Sequence, residues 1–239
     1  PGKTFSESDQ IAVSKRFGRL QVTVRRQYHH GAHPEIYVIT NLDPEGRLIP
    51  EHPDPAATVW HTDGSYEKNR AIATMLYGIK APKSGGDTIY SNMYLAYDAL
   101  SDEMKRQLES LRAVHSLEDS LRRSGPQQII AEEVQKAPPV EHPIIRVHPD
   151  TGRKCIYLGE HASYAVGMPR QEGEELVRKI NEQATPPAFQ YRHVWQPNDV
   201  VIWDNRCTLH KATSFDFGKE GRLIRRTTMI GEQAPHLAG

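Results

Sequence analysis

Cysteine is nearly absent from this 239-residue chain: Cys155 and Cys207 are the only two. Two thiols cannot staple a disulfide scaffold, so a reducing, cytoplasmic setting is expected. Net charge is absent as well, with 30 Lys and Arg balancing 30 Asp and Glu. Nothing in that balance calls for nucleic acid or an anionic membrane as partner. No apolar run approaches the roughly 20 residues of a membrane-spanning helix, and no signal-peptide pattern opens the chain. Internal repeats and low-complexity tracts are missing too. The chain opens Pro1-Gly2-Lys3 rather than with methionine, so further residues upstream are expected.

What is present is punctuation. Seventeen glycines and seventeen prolines cut the chain into short segments, which favours a β-rich domain. The length suits one large domain or two small ones. Strands are predicted over 35–39, 72–79, 87–90, 144–148, 154–158, 189–194, 200–203 and 223–230. Pro149-Asp150-Thr151-Gly152, between two apolar runs, reads as a hairpin turn. Ser101 can cap a helix carrying Met104, Leu108 and Leu111 at i, i+4 and i+7, and a second helix is predicted over 172–183 with Leu176 and Ile180 on one face. The polar, interrupted stretch 118–143 contains Gly125-Pro126 and Pro138-Pro139 and reads as a lid, because strand signals resume after it. Many short strands with few helices predict a mixed, β-rich fold: a two-sheet jelly roll decorated by α-helices.

The stretch WHTDGSY (60–66) places His61 and Asp63 at i and i+2. On an extended segment both side chains face one way, as a satisfied polar pair, an acid/base pair or part of a metal site. A metal site needs another ligand, and the best candidate is His210, which follows the turn residues Asp204-Asn205 in DVVIWDNRCTLHKA. Two histidines and a carboxylate with an open face form the donor set of non-haem Fe(II) oxygenases. Downstream, Arg222 and Arg226 share a strand face at i and i+4 and suit carboxylate recognition. In SGGDTIY, Gly85 and Gly86 allow a tight turn into a strand, and Thr88 offers a hydroxyl to the same carboxylate. Each signal alone has a plain structural explanation; their order along one chain is far more specific.

That order carries a resemblance. WHTDGSY, SGGDTIYSNMYLAYDAL, HPIIRVHPDTGRK, WQPNDVVIWDNRCTLH and RLIRRTTMIGE make the chain, from Phe17 onward, similar to the taurine / 2,4-dichlorophenoxyacetate dioxygenase family. The resemblance implies a single domain over 1–239 with a double-stranded β-helix (jelly-roll) core. It implies Fe(II) bound by His61, Asp63 and His210, with 2-oxoglutarate and O2 as co-substrates. It further implies that Thr88 and Arg222 hold the distal carboxylate of 2-oxoglutarate. Arg226 would lie nearer the metal, beside the other carboxylate or an anionic group of the substrate. The implied reaction hydroxylates a carbon next to oxygen or sulfur, so that the product falls apart, with release of succinate and CO2.

The substrate is expected to be a small organic anion and the assembly a homo-oligomer. Taurine-cleaving members carry a histidine and an asparagine where this chain has Thr23 and Ala57. YLGEHASYAVGMP and YRHVW resemble the phenoxyacetate-cleaving branch instead, with His161 as a substrate-binding candidate beside Arg226. An aryloxyalkanoate such as 2,4-dichlorophenoxyacetate is therefore preferred over taurine, an alkylsulfonate or an alkylsulfate. The cationic, aromatic group of Arg25, Arg26, Tyr28, His29 and His30 reads as a solvated loop face rather than a steering patch. His29, His30 and His33 lack the helical context and carboxylate of a zinc motif. Two rivals belong to other classes. A zinc hydrolase would have no use for the Thr88/Arg222/Arg226 clamp, and a non-catalytic jelly-roll binding protein should have lost part of the triad. Metal content and oxoglutarate turnover separate all three.

Overall fold

The protein is described by a computed structural model covering residues 4–50, 55–123 and 131–231. Its larger sheet is organised around β13 (Leu223–Ile230). One edge of that strand pairs with β1 (Arg19–Leu20) and β2 (Ile36–Thr40), the other with β3 (Ala71–Lys80), and β11 (Val200–Asp204) lies beyond β3. The smaller sheet runs β10 (Gln190–His193), β4 (Thr88–Asn92), β12 (Thr208–Ala212). Every pairing is antiparallel. Tyr37, Leu76 and Ile224 from the larger sheet meet Tyr90 from the smaller one, with Trp195 and Trp203, in a shared core. Two antiparallel sheets closed on one core are the jelly roll expected from the sequence.

Alternation along β13 explains how both of its faces are used. Ile224 and Arg226 project into the space between the sheets, whereas Arg225, Thr227 and Met229 project outward. The outer face is covered by α1 (Glu7–Ser14), which docks largely through polar contacts. Ser14 Oγ lies 2.7 Å from Thr227 Oγ1, Gln10 Nε2 donates to the Arg225 carbonyl at 3.2 Å, and Arg225 pairs with Glu7. Sequence periodicity missed α1 because its buried residues, Gln10 and Ser14, are polar.

A second core lies beside the jelly roll. There β5 (Arg112–His115) pairs with β6 (Val140–Pro143) and β9 (Ala162–Ala165), and α6 (Arg170–Gln183) packs on β9. Gly173 permits that contact, since a Cβ there would stand 2.6 Å from the Ala165 carbonyl oxygen. The hairpin of β7 (Ile145–Val147) and β8 (Lys154–Ile156) turns at Gly152, whose φ is +67°, as its sequence predicts. Helices α2 (Met93–Asp98) and α3 (Asp102–Glu109) follow β4. Ser101 caps α3 by accepting from the Met104 N–H, but α3 ends before Leu111.

The stretch predicted as an interrupted lid holds more regular structure than its composition suggests. It includes most of α4 (Leu117–Arg123), α5 (Ala131–Lys136) and β6, with Gly125 and Pro126 outside the described residues. Its long-range partners, β5 for β6 and β9 for α4, are invisible to local pattern.

Candidate active site

His61 and Asp63 do not lie on a continuous strand, as the spacing alone predicts. His61 forms an isolated bridge with His210 and Asp63 already belongs to a turn, which Gly64 closes with φ +60°. Convergence survives because the bridge is mutual: His61 N–H donates to the His210 carbonyl at 3.0 Å and His210 N–H returns the bond at 2.8 Å. The imidazole centroids are thereby held 4.2 Å apart. Gly159, at φ +100°, lets the neighbouring chain approach, since a Cβ there would stand 3.0 Å from the His61 Cα.

Asp63 faces both rings. Its Oδ1 is 3.8 Å from His61 Nε2 and its Oδ2 3.8 Å from His210 Nε2. The three ligand atoms lie within 4.8 Å of one another, and all three residues are buried. His61 Nδ1 is 2.8 Å from the Val59 carbonyl, which can only accept, so this nitrogen carries the proton and Nε2 keeps its lone pair. Burial and the neighbouring His61 push His210 down to about 3, leaving it neutral. Burial opposes ionisation of Asp63, but Arg226, His210, His61 and the Thr74 hydrogen bond outweigh it and hold the carboxyl well below its usual range. Two imidazoles, each with a ring nitrogen free to face a metal, and one ionised carboxylate fit a divalent iron centre.

A second group, His148, Asp204 and Cys207, is also brought together. It is already engaged: His148 Nε2 bonds Asp204 at 3.0 Å and Arg206 grips the same carboxylate through Nε and Nη2.

Behind Asp63 stands a relay whose members the sequence presents only as strand residues (Thr74 and Trp203) and a turn residue (Asn205). Thr74 donates to Asp63 Oδ2 at 2.7 Å, Asn205 Nδ2 donates to Thr74 Oγ1 at 2.8 Å, and Trp203 Nε1 donates to Asn205 Oδ1 at 2.9 Å. Groups that orient a ligating carboxylate typically change metal affinity 10- to 100-fold when removed. Asn205→Ala is therefore expected to weaken Mn(II) binding by roughly that factor, measured by calorimetric titration. An unchanged affinity would rule the relay out.

Thr88 and Arg222 are buried as well. Gly85 and Gly86, at φ +74° and +67°, make the tight turn into β4. Trp195 Nε1 donates to Thr88 Oγ1 at 2.9 Å, so the hydroxyl proton is directed elsewhere. Arg222 precedes β13, ahead of a register shift between Leu223 and Ile224. Its Nε donates to the Gly86 carbonyl at 3.1 Å, and among the described residues it makes no ion pair. Asp87, the nearby carboxylate, is held by Arg192 at 2.5 Å. Burial lowers Arg222 to about 10, with Tyr90 and Asp87 opposing the fall, so it remains a cation at neutral pH. A buried cation of this kind calls for an anionic ligand.

Arg226 lies at mid-strand, where its Nη1 pairs with Asp63 Oδ1 at 3.0 Å and its guanidinium covers the Tyr37 ring at 4.0 Å. It borders a cavity beside the triad whose walls also include Arg25, Ala57, Tyr66, Leu117, Leu121 and His161. His161 Nδ1 is 3.0 Å from Ser120 Oγ and its ring meets Tyr66 edge-on at 4.6 Å. Burial, and then His61, keep His161 neutral by holding it well below the ordinary histidine range. Arg25 corrects the reading of a solvated loop face. It is buried on the cavity wall, with Nη2 donating to Tyr28 Oη at 3.1 Å and Nη1 to Tyr37 Oη at 3.4 Å, whereas Arg26 is exposed.

The chain is similar to known proteins over most of its length. The family described as "Taurine catabolism dioxygenase TauD, TfdA family" matches residues 1–228. The chain is 35% identical to the alpha-ketoglutarate-dependent 2,4-dichlorophenoxyacetate dioxygenase of Burkholderia sp. (strain RASC), over 97% of this chain and 80% of that protein. It is 37% identical to the alkylsulfatase of Acinetobacter baylyi (strain ATCC 33305 / BD413 / ADP1) over 74% of this chain and 57% of that one. The crystal structure of AAD-2 in complex with Mn(II) and N-oxalylglycine superposes with a TM-score of 0.84 at 33% identity, covering 96% of this chain and 81% of that one.

Proposed function

Because the chain belongs to the taurine catabolism dioxygenase TauD, TfdA family, we propose that it is an Fe(II)- and 2-oxoglutarate-dependent dioxygenase that cleaves an aryloxyalkanoate. The observation that carries the substrate class is the cavity beside His61 and Asp63, which combines the apolar faces of Tyr66, Leu117 and Leu121 with the cations Arg25 and Arg226. An aryl ring suits the first group and a carboxylate the second.

His61, Asp63 and His210 hold the metal, and Thr88 with Arg222 holds the distal carboxylate of 2-oxoglutarate. Iron bound there supplies the oxidation, in which 2-oxoglutarate and O2 are consumed, succinate and CO2 leave, and one oxygen atom enters the substrate. The remaining work belongs to the chain. Arg222 neutralises the co-substrate's distal charge without water, and Arg226 steadies the carboxylate of Asp63. His161, neutral and fixed by Ser120, can orient the substrate by hydrogen bonding. Arg25 stands at the cavity wall as the anchor for its anionic end. Tyr66, Leu117 and Leu121 keep water from the reacting carbon. Hydroxylation of a carbon already bonded to the ether oxygen gives a hemiacetal, which collapses to a phenol and a carbonyl compound.

The whole chain serves as one domain in this reading, with the 118–143 excursion, which contributes Leu121 to the cavity, as its lid. Free thiols at Cys155 and Cys207 support a cytoplasmic setting. Exposed Tyr191, Val200 and Ile202 on the edge strands β10 and β11 support a homo-oligomer.

Succinate release, measured with one substrate at a time at equal concentration, tests the choice. An aryloxyalkanoate is expected to outpace taurine by about tenfold or more, equivalent to roughly 1.4 kcal/mol of discrimination. Taurine ahead by the same margin would overturn the substrate assignment and leave the iron and oxoglutarate chemistry standing. An alkyl sulfate is the second reading, favoured by the alkylsulfatase relative.

A further inference from the structure

Tyr90 has an unspent hydroxyl in an unusual place. It is two residues after Thr88 on β4, so both side chains project from one face of the strand, toward the larger sheet. Across the strand pair Tyr90 stands opposite His210, and the two rings are 6.1 Å apart and within 23° of parallel. Trp203 closes the other side at 5.3 Å. The residue is 8% exposed, yet among the described residues its Oη makes no hydrogen bond of ordinary geometry, with only a weaker interaction from the Thr88 side chain. A phenylalanine would fill the same core, so packing accounts for the ring but not for the oxygen. Buried tyrosine hydroxyls ordinarily find a partner.

The surroundings indicate what that partner is. Asp63 and Arg222 both act on the Tyr90 phenol electrostatically, and the Thr88 side chain interacts with its hydroxyl. A phenol hydroxyl is a donor at neutral pH, and this one shares its strand face with Thr88 and stands across the strand pair from His210. A molecule with one end at His61, Asp63 and His210 and its far carboxylate at Thr88 and Arg222 has to pass Tyr90. We infer that the Tyr90 hydroxyl is a third donor to the distal carboxylate of 2-oxoglutarate and that its ring is the wall along which the co-substrate lies. This rests on the assignment of Thr88 and Arg222 to that carboxylate. Tyr90 is here a binding residue, with no part in proton transfer.

Tyr90→Phe removes only the oxygen and should fold normally. Calorimetric titration of the Mn(II)-loaded protein with 2-oxoglutarate tests the inference without turnover. Tyr90→Phe is expected to weaken 2-oxoglutarate binding about tenfold or more, the usual scale for losing a hydrogen bond to a charged group. Binding of 2-oxobutanoate, which keeps the keto-acid head but lacks the distal carboxylate, should be unchanged, as should Mn(II) affinity. In turnover the KM for 2-oxoglutarate should rise while kcat holds. An unchanged 2-oxoglutarate affinity, or an equal loss for both keto acids, overturns the inference. Arg222→Gln, run in parallel, separates the two levels. If it weakens 2-oxoglutarate while Tyr90→Phe does not, the Tyr90 inference alone falls. If neither variant has an effect, the carboxylate site itself is misassigned.

Discussion

Asp63→Ala is expected to abolish 2-oxoglutarate-dependent succinate formation and to destabilise the protein as well. A metal-ligand role alone would give a folded, inactive variant, but the structure places more than a metal on this carboxylate. Arg226 pairs with one oxygen and Thr74 donates to the other. Removing one partner of a buried ion pair costs roughly 3–5 kcal/mol, because the remaining charge loses its compensation. His61→Ala and His210→Ala should abolish turnover equally, since ligands of one centre act as a unit and their effects do not add. Their stability losses should be smaller, as neither imidazole is the partner of a buried guanidinium as Asp63 is. Urea denaturation and Mn(II) titration of the three variants measure both effects. Full turnover by Asp63→Ala would remove the triad from consideration.

Arg222→Met should do the reverse, lowering co-substrate affinity without weakening the ligand-free fold. Losing a charge-assisted hydrogen bond is worth about 1.5–3 kcal/mol, so the KM for 2-oxoglutarate should rise by roughly one to two decades. The KM for the primary substrate should hardly move. In the ligand-free protein, Arg222 is a buried cation whose Nε bonds only the Gly86 carbonyl and which makes no ion pair among the described residues. Burying a charge on those terms is costly, so an apolar chain of similar length should leave urea stability equal or higher. An unchanged KM would show that Arg222 serves another purpose. A large loss of stability would mean that it is a structural cation.

Much of the fold was legible because its central strands carry the right local chemistry. Those of the larger sheet, 71–80 and 223–230, are rich in β-branched and apolar residues, and the turns beside β4 and β7 are marked by glycine. Thr208–Ala212, Ala162–Ala165 and Val140–Pro143 were not legible as strands, for each is short and mixes small or polar residues. Their strand state comes from partners: β4 for the first and β5 for the other two. Helix α1 escaped notice for a related reason, since an amphipathic pattern cannot reveal a helix that docks through glutamine and serine.

The residue types of the site were fixed by the chain itself. Two histidines, an aspartate, a threonine and two arginines in one order suffice to suggest an iron donor set and a carboxylate ligand, because donor chemistry depends on side chains, and the family resemblance adds that the carboxylate belongs to 2-oxoglutarate. Tertiary structure alone decided what each group is committed to. It paired Arg226 with Asp63 and put Asn205 and Thr74 behind that carboxylate. It also buried Arg25 in the cavity wall while leaving Arg26 in solvent, and set the Tyr90 hydroxyl beside Thr88. Those outcomes follow from contacts between residues far apart in sequence, which local spacing does not encode and which burial makes strong.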